Sequence, residues 1–250
     1  MIGFIVGSGF YDHPGLTPSI VKTRCGVVTV HQGVLNQRKV ALVSRHGRGH
    51  ERLSNHVEHR ANLLALQSVG ATAIVSCSVC GVLRSDWALA RPILAHDLFF
   101  PTNRLPSGEI CTFFDRPAAP ERGHLIAGTL MNAALSAAIS ATWQRAGLVP
   151  LSGTYGHVDG PRFNTKSEIR ALQTAGVEFI SQTCGPEAVL VNELELPYAL
   201  AAFGVDYTNG VTKEPTPPEA LQANLTTATQ AFRVLVEKLA EPDGGFAFSN

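Results

Sequence analysis

The chain has 250 residues, of which 45% are hydrophobic and 16% charged, with Lys+Arg and Asp+Glu balanced at 20 each. This balance leaves no basic field for nucleic acid or an acidic membrane surface and argues against disorder, which needs low hydrophobicity and high net charge. No apolar run reaches the roughly 18 residues of a membrane span, and the first residues, Met1 to Gly7, lack the basic start and long apolar core of a signal peptide. Five cysteines (Cys25, Cys77, Cys80, Cys111, Cys184) form an odd set. They read as reduced thiols of a cytoplasmic protein, with Cys77 and Cys80 as buried structural residues at the end of an apolar run.

Apolar runs rich in β-branched residues alternate with longer helical patterns. Ile2–Val6 predicts a strand that meets a glycine turn. Val27–His31 and Lys39–Ser44 predict a hairpin around Gly33–Asn36. His56–Ser68 has helical spacing, with Val57, Ala61, Leu64 and Ala65 on one side. Ala73–Cys77 and Leu94–Phe99 predict strands, and Leu125–Ala146 predicts a long alanine-rich helix closed by Gly147.

Gly153–Val158 predicts a strand. Thr165–Thr174 predicts a helix that opens with Thr165 and Glu168 at capping-box spacing. A strand over Val177–Ser181, a helix over Glu187–Leu194, a strand over Tyr198–Asp206 and a closing helix over Pro217–Ala240 complete the pattern. The alternation implies one α/β domain over residues 1–250, with a mixed, mainly parallel central sheet flanked by helices on both faces. Ligands in such sheets sit at the strand C-termini.

Small and polar residues gather where strands are expected to end: Gly7-Ser8-Gly9, Ser44-Arg45-His46-Gly47, Ser76 to Gly81, Asp159 to Asn164, Gln182 to Glu187, and Asp206-Tyr207-Thr208-Asn209. Glycines let backbone N–H groups approach an oxyanion, and serine hydroxyls add donors. Arg45 could grip two phosphate oxygens at once. Gly7-Ser8-Gly9 is neither a dinucleotide fingerprint nor a P-loop, because position 12 is Asp12 and the lysine is missing. His46 and His50 have the spacing of two zinc ligands on a helix, but Gly47 and Gly49 argue against a helix there, so no metal site is expected. His56 and His59 are expected on an exposed or subunit-facing side of their helix.

These segments, with Arg60-Ala61-Asn62, Cys80-Gly81, Gly160-Pro161-Arg162-Phe163, Pro186-Glu187 and Asp206-Tyr207, resemble the trimeric purine nucleoside phosphorylases. They resemble in particular the methylthioadenosine and methylthioinosine phosphorylase branch. The resemblance implies a homotrimer that splits a purine nucleoside with inorganic phosphate as co-substrate and without a metal or organic cofactor. It places phosphate on Ser8, Arg45, His46, Ser78, the backbone of Val79, and Thr183. It lays the purine against Phe163, assigns its reading and protonation to Asp206, and puts the ribose near Gln182. It also assigns His124 to the 5′ end of a nucleoside bound by a neighbouring subunit.

To protonate the leaving purine, Asp206 must itself hold a proton, which burial would favour. Adenine-specific relatives carry a second aspartate where this chain has Thr208, and the 6-oxopurine branch carries asparagine where this chain has Asp206. The favoured substrate is 5′-methylthioadenosine or a close analogue. A 6-oxopurine nucleoside, hydrolysis in place of phosphorolysis, and a binding protein without turnover are the alternatives. Asn209 could add an amide to the base site, and the short tail Glu241–Asn250 would give reduced cover at the 5′ side.

Overall fold

The computed structural model describes residues 1–114, 124–126 and 128–239. Strand β1 (Ile2–Val6) is buried throughout and lies between the parallel strands β4 (Arg38–Ser44) and β5 (Ala73–Val82). A strand covered on both faces is expected to read as a continuous apolar run, and Ile-Gly-Phe-Ile-Val does. Beyond β4 lie β3 (Gly26–Leu35) and the edge strand β2 (Thr17–Thr23), both antiparallel. The β3–β4 hairpin closes at Asn36 and Gln37, whose φ values of 46° and 65° suit the right-handed twist of the flanking strands.

On the other side of β1, the strands close on themselves. β5 pairs with β8 (Phe179–Ser181), β8 with β7 (Leu151–His157), β7 with β6 (Arg91–Phe99), and β6 with β9 (Tyr198–Tyr207). β9 returns to pair in parallel with β5, which completes a ring. Register shifts at Cys80/Gly81 in β5 and at Ala95/Asp97 in β6 supply the bends that closure requires. The sheet is mixed, as the alternation of elements implies, and this closure is the feature that a linear pattern of strands does not carry.

Helices cover both faces. α1 (His59–Ser68) and α4 (Cys184–Glu193) contribute Leu63, Leu66, Leu190 and Val191 to one core. α2 (Ala133–Arg145) and α5 (Pro218–Leu239) contribute Ile139, Trp143, Phe232 and Leu235 to the other. Cys77 belongs to the second core and Cys80 to the first, so the Cys77–Cys80 pair points to opposite sides of one strand. All five cysteines are free. α3 (Lys166–Thr174) has the expected capping box between Thr165 and Glu168 and anchors Ile169 in a small satellite core.

Several boundaries differ from the expectation. The helix expected over Leu125–Ala146 begins at Ala133, where the Asn132 side chain accepts from the Leu135 N–H, and the described residues before it are not helical. Asparagine is a strong N-cap, and its competition with the backbone ends the run of helical residues on its N-terminal side. The helix expected from His56 begins at His59, behind a short 3-10 turn at Ser54–His56. β5 continues five residues past Cys77, through the polar segment read as its end. β2 has no counterpart in the sequence reading: it is an edge strand whose inward positions Ser19, Val21 and Thr23 are only half-buried and include one apolar residue, so its sequence carries no apolar alternation. Ala240 and the tail Glu241–Asn250 lie outside the described residues.

Candidate active site

Strands β1, β4, β5 and β9 are mutually parallel, so their C-terminal ends open on one edge of the sheet. A cavity of about 410 Å³ lies there, a size suited to a small organic ligand. β1 delivers Ser8, β4 delivers Arg45 and His46, and the second half of β5 delivers Ser78, Val79 and Gly81. The segment after β8 adds Gln182 and Thr183, and the end of β9 adds Asp206, Thr208 and Asn209.

At the inner end, Arg45 is 1% exposed and its guanidinium is almost fully engaged. Nε donates to Glu187 Oε1 at 2.7 Å and Nη2 to Glu187 Oε2 at 2.9 Å. Nη2 also donates to the Ile5 carbonyl at 3.2 Å, and Nη1 to the Cys77 carbonyl at 2.8 Å. Of five N–H groups, one on Nη1 remains. It abuts Gly7, where an added methyl would sit 2.6 Å from Nη1. The two-oxygen grip expected of Arg45 is therefore not available, because the edge that would make it is held by Glu187.

Glu187 lies one turn into α4 and also accepts from Ser76 Oγ at 2.5 Å. Burial would raise its pKa, but the Arg45 charge beside it prevails and holds it at about 2. Burial likewise opposes the Arg45 charge, and Glu187 outweighs that, so Arg45 stays cationic at every working pH. His59 Nδ1 stands 3.7 Å from Glu187 Oε1, and His59 is 2% exposed. This corrects the expected exposed or subunit-facing position of His59; His56 is exposed.

The N-terminus of α4 is capped from a distance. The Cys184 N–H donates to Tyr155 Oη at 3.2 Å and the Gly185 N–H to His157 Nδ1 at 3.4 Å. Burial, followed by the nearby His59, pushes His157 down to about 3, so its neutral ring can accept that bond. The four orphan N–H groups of a helix start need such partners, and here two come from the strand beside it.

His46, next to Arg45 in the chain, also borders the cavity. Its Nδ1 lies 2.9 Å from the Arg52 carbonyl, and its ring stacks on His50 at 4.2 Å with 13° between the planes. Burial first, and Arg45 second, lower its pKa to about 4. Gly47 and Gly49 have φ of 73° and 71°, so no helix presents His46 and His50 together. Among the described residues, no group of three or more His, Cys, Asp or Glu could hold a metal ion.

At the outer end, Phe163 lines the cavity yet is 83% exposed. Gln182 bridges two loops: its Oε1 accepts from Ser54 Oγ at 2.8 Å and its Nε2 donates to the Arg162 carbonyl at 3.1 Å. Thr208 Oγ1 donates to the Val82 carbonyl at 3.3 Å, and its methyl lies over Gly81, where an added Cβ would stand 2.6 Å away. Asn209 Nδ2 donates to the Asn164 carbonyl at 2.8 Å. Asp206 is half-buried, so the free pocket does not by itself provide the burial that the sequence reading asks of it.

A search of protein families matches residues 1–241 to the phosphorylase superfamily. The chain belongs to this superfamily. It is 33% identical over 214 residues to an S-methyl-5′-thioadenosine phosphorylase of Caenorhabditis briggsae, covering 82% of this chain and 74% of that one. It is 31% identical over 259 residues to a probable 6-oxopurine nucleoside phosphorylase of Thermococcus kodakarensis, covering 96% and 88%. Among solved structures, a methylthioadenosine phosphorylase from an Antarctic soil metagenomic library superposes with a TM-score of 0.82 at 25% identity, covering 96% of this chain and 86% of that one.

Within this phosphorylase-superfamily fold, the single cavity edge gathers Ser8, Arg45, His46, Ser78, Val79, Phe163, Gln182, Thr183, Asp206 and Thr208. His124 stands elsewhere, in a second cavity with Asn103, Cys111 and Glu193, and does not line the first. Sequence reasoning gave Glu187 no role beyond a motif and left Ser76 and His157 without one. The signal for Glu187 was a carboxylate beside proline in the apolar first two turns of the helix Cys184 to Glu193, with no lysine or arginine on that helix to pair with it.

Proposed function

We propose that this phosphorylase cleaves a 6-aminopurine nucleoside, 5′-methylthioadenosine or a close analogue, with inorganic phosphate. The products are the free purine and the (5-methylthio)ribose 1-phosphate. The base preference rests chiefly on Thr208. Its hydroxyl proton is directed at the Val82 carbonyl, which leaves oxygen lone pairs for the base. An acceptor suits an exocyclic amine and not a 6-oxo group. Asn209 supports the same reading, because its Nδ2 is held by Asn164 and one donor for a 6-oxo group is thereby withdrawn.

In this reading phosphate occupies the inner end, among Ser8, His46, Ser78, Val79 and Thr183, with Arg45 behind it. The purine covers the exposed face of Phe163 and reaches Asp206. A phosphate oxygen forms the new bond to C1′ as the C1′–N9 bond breaks, and that electron pair passes to the purine. Asp206 gives its proton to N7 of the leaving base. The purine would cover the half-buried Asp206 and keep water from the transfer. The protein contributes placement of both reactants and fixed dipoles toward the developing charges. No cofactor is invoked.

We read residues 1–250 as one catalytic domain of a homotrimer acting in the cytoplasm in purine salvage. Exposed Ile126 (94%) and Leu125 beside His124 supply apolar surface for a subunit contact, through which His124 would reach the 5′ group of a neighbour's nucleoside. No helix among the described residues is long and apolar enough to cross a membrane.

The test is a panel of adenosine, inosine, guanosine and their 5′-methylthio forms, with and without phosphate. Phosphate-dependent turnover of the 6-amino members, lost preferentially in Thr208→Val, supports the proposal. Faster turnover of the 6-oxo members overturns the base preference. Turnover without phosphate indicates hydrolysis, and binding without turnover indicates an inactive relative.

A further inference from the structure

Strand β9 sends its side chains alternately to the two cores. Tyr198, Leu200 and Ala202 face the first, with α1 and α4; Ala199, Ala201, Phe203 and Val205 face the second, with α2 and α5. Continued to the end of the strand, this alternation would put Asp206 on the first side and Tyr207 on the second. Tyr207 instead packs against the first core, as does Val82, its partner on β5.

The switch occurs at Val205. Cys80 of β5 pairs with Gly204 and Gly81 with Asp206, so no residue of β5 stands opposite Val205, and the pairing of β6 with β9 stops at Gly204. Val205 is therefore the extra residue of a β-bulge, where two residues oppose one and the alternation slips by one position. With Tyr207 on the first side, Asp206 joins Val205 on the second, at the cavity that Leu221 of α5 also lines.

The bulged peptide is held from outside the sheet. Asn224, half-buried on α5, donates from Nδ2 to the Val205 carbonyl at 2.9 Å. Past Asp206, Tyr207 Oη donates to the Trp87 carbonyl at 2.7 Å, which fixes Tyr207 on its side. Among the described residues the Asp206 carboxylate has no hydrogen bond of its own, so its aim into the cavity follows from the backbone that carries it.

We propose that Asn224 is a positioning residue for Asp206: by holding the Val205 carbonyl it keeps the bulge that turns the Asp206 carboxylate toward the leaving purine. Without that bond the end of β9 can relax toward regular pairing, which would carry Asp206 to the other side of the sheet. The proposal rests on the reading of Asp206 as the acid.

The experiment is a double-variant cycle on kcat with 5′-methylthioadenosine and phosphate, using intact wild type, Asn224→Leu, Asp206→Ala and the two changes combined. Asn224→Leu should lower kcat about tenfold to a hundredfold, the cost of misplacing a reacting group by an ångström or so. The phosphate dissociation constant, read by calorimetry, should stay near that of wild type. In the Asp206→Ala background the same change should cost less than about twofold in kcat, because a residue that acts through Asp206 has nothing left to position.

A merely structural role would lower kcat by the same factor in both backgrounds, and that outcome overturns the proposal. So does wild-type kcat in Asn224→Leu. If Asn224→Leu fails to fold, Asn224→Ala, which suits a helix interior and also lacks the donor, carries the same expectations. Undiminished kcat in Asp206→Ala overturns the reading of Asp206 as the acid, and the proposal with it.

Discussion

Arg45 on the loop after β4 and Glu187 on α4 are joined by two hydrogen bonds, of 2.7 and 2.9 Å, and each side chain is 1% exposed. The pair ties the end of one strand to the start of a helix far along the chain. It seals the floor of the pocket with a neutral unit, so Arg45 acts there as a fixed dipole with one free N–H. Breaking a buried pair leaves an unpaired charge in an apolar setting, at about 3–5 kcal/mol. Glu187→Ala should destabilise the protein by that amount in urea unfolding. The double variant Arg45→Met, Glu187→Leu should regain part of the loss while remaining poor at binding phosphate. A double variant no more stable than Glu187→Ala would show that the pair is not the cause.

Asp206→Ala should lower turnover by about 10²–10⁴, the usual contribution of general acid–base catalysis. The phosphate dissociation constant should stay near that of wild type, since Asp206 pairs with Gly81, four residues along β5 from the Cys77 carbonyl that holds Arg45. Steady-state and calorimetric data on the same preparation decide the point. An equal loss of both properties would count against an acid at position 206.

Phe163 is 83% exposed in the free pocket, so it contributes little to the fold. Phe163→Ala should alter stability by less than about 0.5 kcal/mol, as surface changes do. The nucleoside KM should rise roughly tenfold, because base–aromatic stacking is worth about 1–3 kcal/mol. The phosphate constant should not move. Unchanged nucleoside KM would remove the base from this face.

Acid sensitivity follows from pKa values that folding lowers, those of His157, His46 and Glu187. His157 titrates at about 3 when folded, against 6.5 for an ordinary histidine, because burial and His59 disfavour its charge. Between these values the unfolded chain binds a proton that the folded one refuses, so stability falls as pH drops below about 6.5. Glu187 is held at about 2, against an ordinary 4.5. Its contribution is complete above 4.5 and is lost as pH falls toward 2. The melting temperature should be level above pH 6.5, decline below it and steepen below 4.5. His157→Gln, which can still accept from Gly185, should flatten the upper part of that decline. A melting temperature constant from pH 6.5 to 4.5 would contradict the assignment.

The sequence alone was enough for elements whose signals are local. Ile2–Val6 reads as a strand because burial on both faces demands an unbroken apolar run, and α3 reads as a helix because Thr165 and Glu168 satisfy the first N–H groups reciprocally. The polar strand-end segments, from Ser8 to Asp206, were legible as one pocket because parallel strands bring their C-termini to one edge. β2 and the true start of α2 were not legible. The first is an edge strand with one apolar inward residue, Val21, and the second depends on a single asparagine inside an alanine-rich stretch.

What only the tertiary structure decided is where hydrogen-bonding capacity is already taken. Arg45 loses its forked edge to Glu187, 142 positions away, and Thr208 turns its proton to Val82, 126 positions away. His46 has its tautomer set by Arg52. Residue type fixes how many donors and acceptors a side chain owns. How many remain for a ligand depends on partners that folding alone brings within 3 Å or so, and no local pattern in the chain encodes that distance.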